Sequence, residues 1–130
     1  MSVHSEREHP MQTSFLKKSD ATSRGEIERC HDGRGAIDWV GVLDGSDPGG
    51  ERVNFVHDDV LPPNTSIGVH EHTEDQEYYY ILSGCGVMSL DGEEHPVSAG
   101  DVAVVFPGGT HGLENRSDED LRIIVFSVSV

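Results

Sequence analysis

Short β-rich runs separated by turn residues recur along most of this chain, and their spacing limits the possible folds more than any other feature. The runs are rich in Val, Ile, Leu and aromatic residues, and glycine, proline, asparagine or aspartate interrupts them. They cover residues 36–43, 53–61, 67–72, 78–83, 87–90, 95–98, 102–106, 111–115 and 121–130. Such close spacing is typical of an antiparallel sandwich or barrel and leaves no room for the helices of βαβ units. We therefore predict an all-β fold.

Turn residues between these runs support the prediction. Asp91-Gly92 joins two runs, where a two-residue type I′ hairpin needs positive φ at both central positions. In Pro62-Pro63-Asn64, the asparagine occupies a turn position with positive φ, which Asn tolerates better than most residues. Pro107-Gly108-Gly109 likewise separates two runs.

The length of 130 residues suits one domain with one core. Residues 1–24 are rich in Ser, Glu, His, Lys and Arg and show neither helical nor strand periodicity. We therefore predict a flexible N-terminal arm over residues 1–24 and a single barrel domain over residues 25–130.

The chain is strongly acidic, with 24 Asp and Glu against 9 Lys and Arg and a formal net charge of −15. Such a surface repels phosphate backbones and anionic lipids, so neither a nucleic acid nor a membrane partner is expected. The first ten residues are polar and the apolar runs are only of strand length, which predicts no signal peptide and no membrane span. Two cysteines, Cys30 and Cys85, allow at most one bridge, which is weak evidence for an oxidising compartment, and we predict a cytoplasmic location. The acidity is consistent either with a high-salt cytoplasm or with a solubility device.

Four residues have the chemistry of metal ligands. His70 and His72 are one residue apart in a β run, so both side chains leave the same face, with Cα atoms roughly 6.6 Å apart. Glu77 begins the next run, and His111 follows the Pro-Gly-Gly turn much later in the chain. Taken singly, His70 and His72 are better explained as polar residues of a solvated strand face. Glu77 alone would be a surface carboxylate at a strand entry, and His111 alone a loop histidine.

Together, these residues resemble the first of two motifs of the cupin family. That motif reads Gly, five residues, His-x-His, three or four residues, Glu, six residues, Gly. In this chain the offsets are filled by Asn64, His70, His72, Glu77 and Gly84. Asn64 replaces the first glycine, a mild departure if that position needs positive φ.

The second cupin motif reads Gly, five residues, Pro-x-Gly, two residues, His, three residues, Asn. Gly100, Gly108, His111 and Asn115 stand at its offsets, whereas Phe106 occupies the proline position and Pro107 lies one place later. The resemblance covers roughly residues 50–130. It implies a double-stranded β-helix of the jelly-roll type, in which two sheets face each other around a central cavity.

The resemblance also implies that His70, His72, Glu77 and His111 bind one divalent transition metal in that cavity. Three neutral imidazoles and one carboxylate leave one net positive charge and, in octahedral geometry, two open positions. Fe, Mn, Ni and Co suit these ligands, while Zn and Cu have the higher raw affinity, so the ligand set leaves the metal open.

Strand alternation from these ligands predicts which neighbouring residues face the cavity. Alternation from Glu77 predicts that Tyr79 and Ile81 face the cavity, and alternation from His111 predicts the same for Leu113 and Asn115. Three of these residues are candidates for substrate contacts, namely Ile81, Leu113 and Asn115. Tyr79 is a candidate acid/base group, although a packing role for its ring is equally consistent.

Four further parts of the chain are placed less firmly. His57 is a second candidate acid/base group whose register the sequence leaves open. Trp39 is a candidate for the pocket mouth, although core packing is the more common role for a lone tryptophan. Tyr78 and Tyr80 point away from the cavity and suggest an intersheet or subunit contact. Residues 30–35 could fold over the barrel mouth or form an ordinary loop.

Fold membership does not select a reaction. We expect a small polar or aromatic metabolite as substrate, and a metal-dependent dioxygenase-type activity as the leading interpretation. A metal-dependent lyase or isomerase/epimerase is the alternative, and a non-catalytic ligand-binding or sensor module is a third. Lysine occurs only at Lys17 and Lys18, which disfavours phosphate substrates and excludes Schiff-base catalysis in the barrel. A homodimer is expected, because residues 121–130 would leave an apolar sheet edge if unpaired.

Overall fold

Ten antiparallel β-strands make up the fold in a computed structural model that describes residues 13–130. Their bounds are β1 Ser23–Glu28, β2 Ala36–Leu43, β3 Val53–Leu61, β4 Ser66–Glu71, β5 Asp75–Ser83, β6 Cys85–Leu90, β7 Glu93–Ser98, β8 Val102–Val105, β9 Thr110–Glu114 and β10 Leu121–Ser129. Two short 3-10 turns, Ser19–Ala21 and Cys30–Asp32, are the helical elements of the described residues. The predicted all-β class is confirmed, and no helix in this part of the chain is long and apolar enough to cross a membrane.

The strands form two sheets that enclose the core. The larger sheet has the order β1-β2-β3-β10-β5-β8, and the smaller has the order β4-β9-β6-β7. Buried apolar side chains from both sheets meet between them, namely Ile37, Leu61, Ile67, Tyr79, Ile81, Met88, Ala103, Val105, Leu113, Leu121, Ile123 and Val125. Two facing antiparallel sheets around one core are the predicted jelly-roll arrangement.

The predicted turns have the backbone angles that their residues favour. Asp91 and Gly92 both have positive φ, at 49° and 88°, as a type I′ hairpin requires. Asn64 has a φ of 62°, so an asparagine takes the left-handed conformation at the position where the cupin motif has glycine. Gly108 also has positive φ, which turns the chain between β8 and β9.

The predicted N-terminal arm coincides only in part with the described residues, because residues 1–12 lie outside them. Ser23 and Arg24, which were predicted to lie in the arm, pair with Gly41 and Val40 as the first residues of β1. Lys17 forms an ion pair with Asp47 at 2.8 Å, which ties the preceding segment to the loop after β2.

The last strand is not a sheet edge. β10 pairs with β3 on one side and with β5 on the other, so the edge-strand reason for expecting a homodimer was wrong. The outward-facing Tyr78 stacks on Phe126 of β10 with ring centroids 4.8 Å apart, while Tyr80 remains 41% exposed. Cys30 and Cys85 are both free thiols.

Candidate metal centre

Both sheets contribute side chains to one cluster of metal-ligand type. In the smaller sheet His70 of β4 lies directly opposite His111 of β9, and His72 follows at the end of β4. Glu77 comes from β5 of the larger sheet. Because the cavity lies between the sheets, the carboxylate approaches the three imidazoles from across it.

Distances within the cluster are those of groups that can share one ion. The Oε1 atom of Glu77 lies 3.0 Å from His72 Nε2 and 3.3 Å from His111 Nε2. The ring centroid of His70 is 4.2 Å from that of His111 and 5.1 Å from that of His72. Donor atoms of the three histidines all lie within 4.8 Å of one another.

Hydrogen bonds fix the orientation of two of the imidazoles. The Nδ1 atom of His70 is 2.8 Å from the carbonyl oxygen of Gly68, and Nδ1 of His72 is 2.8 Å from the Asp75 carboxylate. A carbonyl and a carboxylate accept, so both Nδ1 atoms carry hydrogen and both Nε2 lone pairs are free for a metal. Burial, followed by neighbouring imidazoles, lowers the pKa of His70 to about 4, which keeps this ligand neutral.

Buried atoms without partners support a metal at this point. Among the described residues, His72 Nε2, Glu77 Oε1 and His111 Nδ1 are buried and have no hydrogen-bond partner. Buried polar atoms normally have partners, because an unpaired one costs about 1–3 kcal/mol. A divalent ion between these side chains would give His72 Nε2 and Glu77 Oε1 the partner that each lacks, so the residues fit a transition metal.

A cavity of about 430 Å³ adjoins the cluster. One part of its wall is apolar and comprises Ile27, Ile37, Phe55, Ile67 and Val125. The polar part combines His70, His72 and Glu77 with Cys30, His31, His57, Asp59, Asp75 and Tyr79. No lysine or arginine of residues 13–130 lines this cavity.

The two candidate acid/base groups both reach the cavity. The Tyr79 hydroxyl is 3.0 Å from His111 Nε2, and burial, followed by the negative charge of Glu77, raises the pKa of this phenol. Tyr79 is therefore a neutral hydroxyl beside a metal ligand. His57 stacks on Phe55 with centroids 4.3 Å apart, and burial lowers its pKa, so it is a neutral imidazole at pH 7.

The four candidates for substrate contacts lie elsewhere. Trp39 packs edge-on against His57 with centroids 5.3 Å apart and does not line the cavity. Ile81 and Leu113 are buried in the core. Asn115 is fully buried, and its Nδ2 donates to the carbonyl oxygens of Leu61 and Glu119, so its amide holds the chain together after β9.

Alternation proposed Ile81, Leu113 and Asn115 but could not separate substrate contacts from core positions, because an inward-facing side chain can also be buried by packing or by hydrogen bonds. Only a contact with the cavity distinguishes a substrate-binding side chain from a core side chain.

Four polar residues of the cavity wall were not assigned to the site from the sequence, namely Cys30, His31, Asp59 and Asp75. Asp75 is the first residue of β5. Burial raises the pKa of its carboxyl group, but hydrogen bonds from Ser127 and His72 outweigh burial and lower that pKa. His31 stacks on His70 with centroids 3.5 Å apart and planes 8° apart, so residues 30–35 do fold over the cavity. Asp59 is 4% exposed and lines the cavity two residues after His57.

Gly68 is a weak sequence signal that another segment, the one with His31, lies close to β4. A Cβ atom on Gly68 would lie 2.0 Å from the carbonyl oxygen of His31, so only glycine at position 68 lets this loop reach β4. Glycine inside a strand often marks such a close backbone approach, although it does not say which segment approaches.

Two facing antiparallel sheets, with three histidines and a glutamate between them, define a jelly-roll barrel with a cluster able to hold a metal. The family profile of the cupin domain matches residues 58–127, more than half of the chain. The chain therefore belongs to the cupin family, and the predicted resemblance is confirmed.

Among curated proteins, the chain is 30% identical over 112 residues to the oxalate-binding protein of Thermotoga maritima, a match that covers 86% of this chain and 92% of that protein. It is 32% identical over 69 residues to the tetracenomycin polyketide synthase protein TcmJ of Streptomyces glaucescens, covering 53% of this chain and 46% of that protein. Among solved structures, a predicted oxalate decarboxylase from Thermotoga maritima superposes with a TM-score of 0.82 at 28% identity, covering 89% of this chain and 100% of that chain.

Proposed function

We propose that this cupin binds a small carboxylate that chelates a divalent metal held by His70, His72, Glu77 and His111, and that it catalyses a non-oxidative lyase or isomerase reaction on that ligand. The observation that carries this proposal is the convergence of three histidines and a glutamate, of which His72, Glu77 and His111 each have a buried polar atom without a hydrogen-bond partner among the described residues. We also retain, as proposals from the sequence, a homodimer and a cytoplasmic location.

Charge favours an anionic chelator. A divalent ion with three neutral imidazoles and one carboxylate has one net positive charge, and neither a lysine nor an arginine of the described residues lines the cavity. An anion is then held chiefly by the ion, through two oxygen atoms at the two open positions. A phosphate ester lacks the arginine fork or lysine that usually grips it. The name of the Thermotoga relative, an oxalate-binding protein, supports a chelating carboxylate as the ligand class.

The cavity residues have roles that suit proton transfer. When bound, the metal supplies Lewis-acid polarisation of a ligand oxygen. Tyr79 can donate a hydrogen bond from a hydroxyl that burial keeps protonated, and the neutral imidazole of His57 can accept a proton. The apolar wall around Phe55 and Ile67 excludes water and leaves room for a ligand larger than oxalate itself.

A dioxygenase-type reaction, the leading interpretation of the sequence, is the second candidate. Two open coordination positions next to three histidines and a glutamate favour it, since they accommodate a substrate together with dioxygen. The buried acid Asp59 and the hydroxyl of Tyr79 are better suited to proton transfer, which places the non-oxidative reaction first.

The test is binding followed by turnover. Protein loaded separately with Mn²⁺, Fe²⁺, Co²⁺ or Zn²⁺ is titrated with oxalate, 2-oxo acids and catechol by calorimetry, and bound ligands are then assayed with and without oxygen. We expect a carboxylate to bind only in the presence of metal, and turnover to continue without oxygen. The variant His111→Ala should lose both metal and ligand.

Each other outcome has a distinct meaning. Turnover that requires Fe²⁺ and consumes oxygen would establish the dioxygenase alternative. Binding without turnover across the panel would indicate a ligand-binding module. Carboxylate binding that is unchanged after the metal is removed would refute the proposal.

A further inference from the structure

Asp59 is a buried carboxyl group in the cavity wall, on the larger sheet. Its side chain is 4% exposed, and its Oδ1 atom is buried without a hydrogen-bond partner in the described part of the chain. Oδ2 is 4.0 Å from Nδ1 of His57, too far for a hydrogen bond. Asp59 lines the cavity, so a buried acid at the cavity wall has one oxygen without a partner among the described residues.

No cation compensates this group within residues 13–130. Asp58, the preceding residue, points to the other face of β3 and pairs with Arg122 at 2.7 Å. The strands on either side place Trp39 of β2 and Ile123 of β10 next to Asp59, and neither side chain titrates. A buried carboxylate without a cation is costly, so the protonated acid is favoured.

The pKa of Asp59 agrees with this geometry. Burial raises it from 3.8 to about 7, a backbone hydrogen bond from Val40 opposes the rise, and the charge of Asp58 adds to it. Around the cavity, burial lowers the pKa values of His57 and His31 and raises those of Cys30 and Tyr79. Asp59 is thus the acid of this wall whose pKa is raised to about 7, whereas the two imidazoles are shifted towards their neutral form and the thiol and the phenol away from ionisation.

We propose that Asp59 is a carboxylic acid that donates a hydrogen bond to an oxygen of the metal-bound ligand on the side away from the ion. This inference rests on the proposed function, and it narrows the ligand to acids with an outer oxygen acceptor, such as dicarboxylates and 2-oxo acids. A dianion such as oxalate outweighs the single positive charge of the metal centre. Since no lysine or arginine between residues 13 and 130 lines the wall, a neutral acid can donate a hydrogen bond to such an anion without repelling it.

The experiment measures oxalate affinity for the Mn²⁺-loaded protein at pH 6 and pH 8.5 by calorimetry. Oxalate keeps both negative charges over this range, so its own protonation does not contribute. For a pKa of about 7, the protonated fraction of Asp59 falls from roughly nine-tenths to about 3%, which predicts about 30-fold weaker binding at pH 8.5.

Two variants test whether the pH dependence comes from the proton of Asp59 and not from the shape of its side chain or from a nearby negative charge. Asp59→Asn keeps a neutral donor of the same size, and its oxalate affinity should change less than threefold between the two pH values. Asp58→Asn removes a negative charge from the adjacent position on the outer face, and it should retain the 30-fold dependence. Equal affinity of the wild type at both pH values, or the same dependence in Asp59→Asn, would overturn the inference.

An infrared difference spectrum of wild type minus Asp59→Asn, recorded without metal at pH 6, provides a readout independent of the ligand. We expect the carbonyl stretch of a protonated carboxylic acid, replaced by carboxylate bands at pH 8.5. Carboxylate bands at pH 6 would also overturn the inference. If oxalate failed to bind the loaded wild type at either pH, the proposed function would fail, and the spectrum would still decide whether Asp59 holds a proton.

Discussion

Asp75 is expected to control metal affinity although it is not one of the four ligands. Its carboxylate accepts a hydrogen bond from Nδ1 of His72 at 2.8 Å and another from the Ser127 hydroxyl. The first bond sets the tautomer of His72 and makes its Nε2 a stronger donor, and the second holds the carboxylate in place. Asp75→Asn retains an acceptor for His72 but loses the negative charge that polarises the ring.

Loss of such a supporting group typically weakens metal binding by about 10- to 100-fold, or about 1.4–2.7 kcal/mol. We expect Asp75→Asn to lie near the lower value. Asp75→Ala should lie near the upper one, because it leaves both the His72 N–H and the Ser127 hydroxyl without their acceptor. The assay is competition with a chelating fluorophore for Zn²⁺ or Mn²⁺ at fixed pH.

Glu74→Gln is the matched control. It removes the same charge from the adjacent, exposed position, so it reports the effect of net charge alone. Its metal affinity should stay within about twofold of the wild type, because exposed charges at this distance are screened. If Asp75→Asn also stayed within twofold, or if the control lost as much affinity, the role assigned to the His72–Asp75 hydrogen bond would be refuted.

Three further predictions concern stability. Asn115→Ala should lower the free energy of unfolding by about 2–3 kcal/mol in urea denaturation, since the buried carbonyl oxygen of Leu61 and the partly buried one of Glu119 lose their donor; a loss under 0.5 kcal/mol would contradict this. Asn64 has a φ of 62°, so Asn64→Gly should change stability by less than about 1 kcal/mol, and Asn64→Val should cost more. Equal losses of stability in the two variants would contradict this. Because the folded pKa of Asp59 is raised to about 7, the folded protein binds the extra proton, and stability should fall as pH rises from about 4 to above 7. Asp59→Asn should remove that fall in thermal unfolding at pH 5 and pH 8, and a variant that keeps the wild-type slope would show that another group is responsible.

Most of the strands could be predicted from local pattern. The predicted runs 36–43 and 53–61 coincide with β2 and β3, and the other runs differ from their strands by at most three residues at either end. Turn chemistry at Asn64 and at Asp91-Gly92 was predictable for the same reason, because φ preferences belong to single residues. The order of the strands in the sheets was not predictable from local pattern. β10 is a central strand because two distant segments pair with it.

The ligand cluster could be predicted from the sequence, whereas the residues around it could not. The four ligands stand at motif offsets, so the sequence alone could propose them. Three further residues line the cavity through contacts that no motif spacing predicts, namely Asp59, His31 and Asp75. The substrate contacts proposed by alternation at Ile81, Leu113 and Asn115 lie instead in the core or in a hydrogen-bonded turn.

By itself, the sequence determined the strands, the tight turns and the residues able to bind a metal, because these depend on single residues and on the two-residue period of a strand. The tertiary structure alone decided that Glu77 reaches the three histidines from the opposite sheet, that His31 covers His70 and that Asp59 is buried without a cation. These features arise from the packing of segments far apart in the chain, and burial in that packing is what changes the chemistry of an otherwise ordinary carboxyl group.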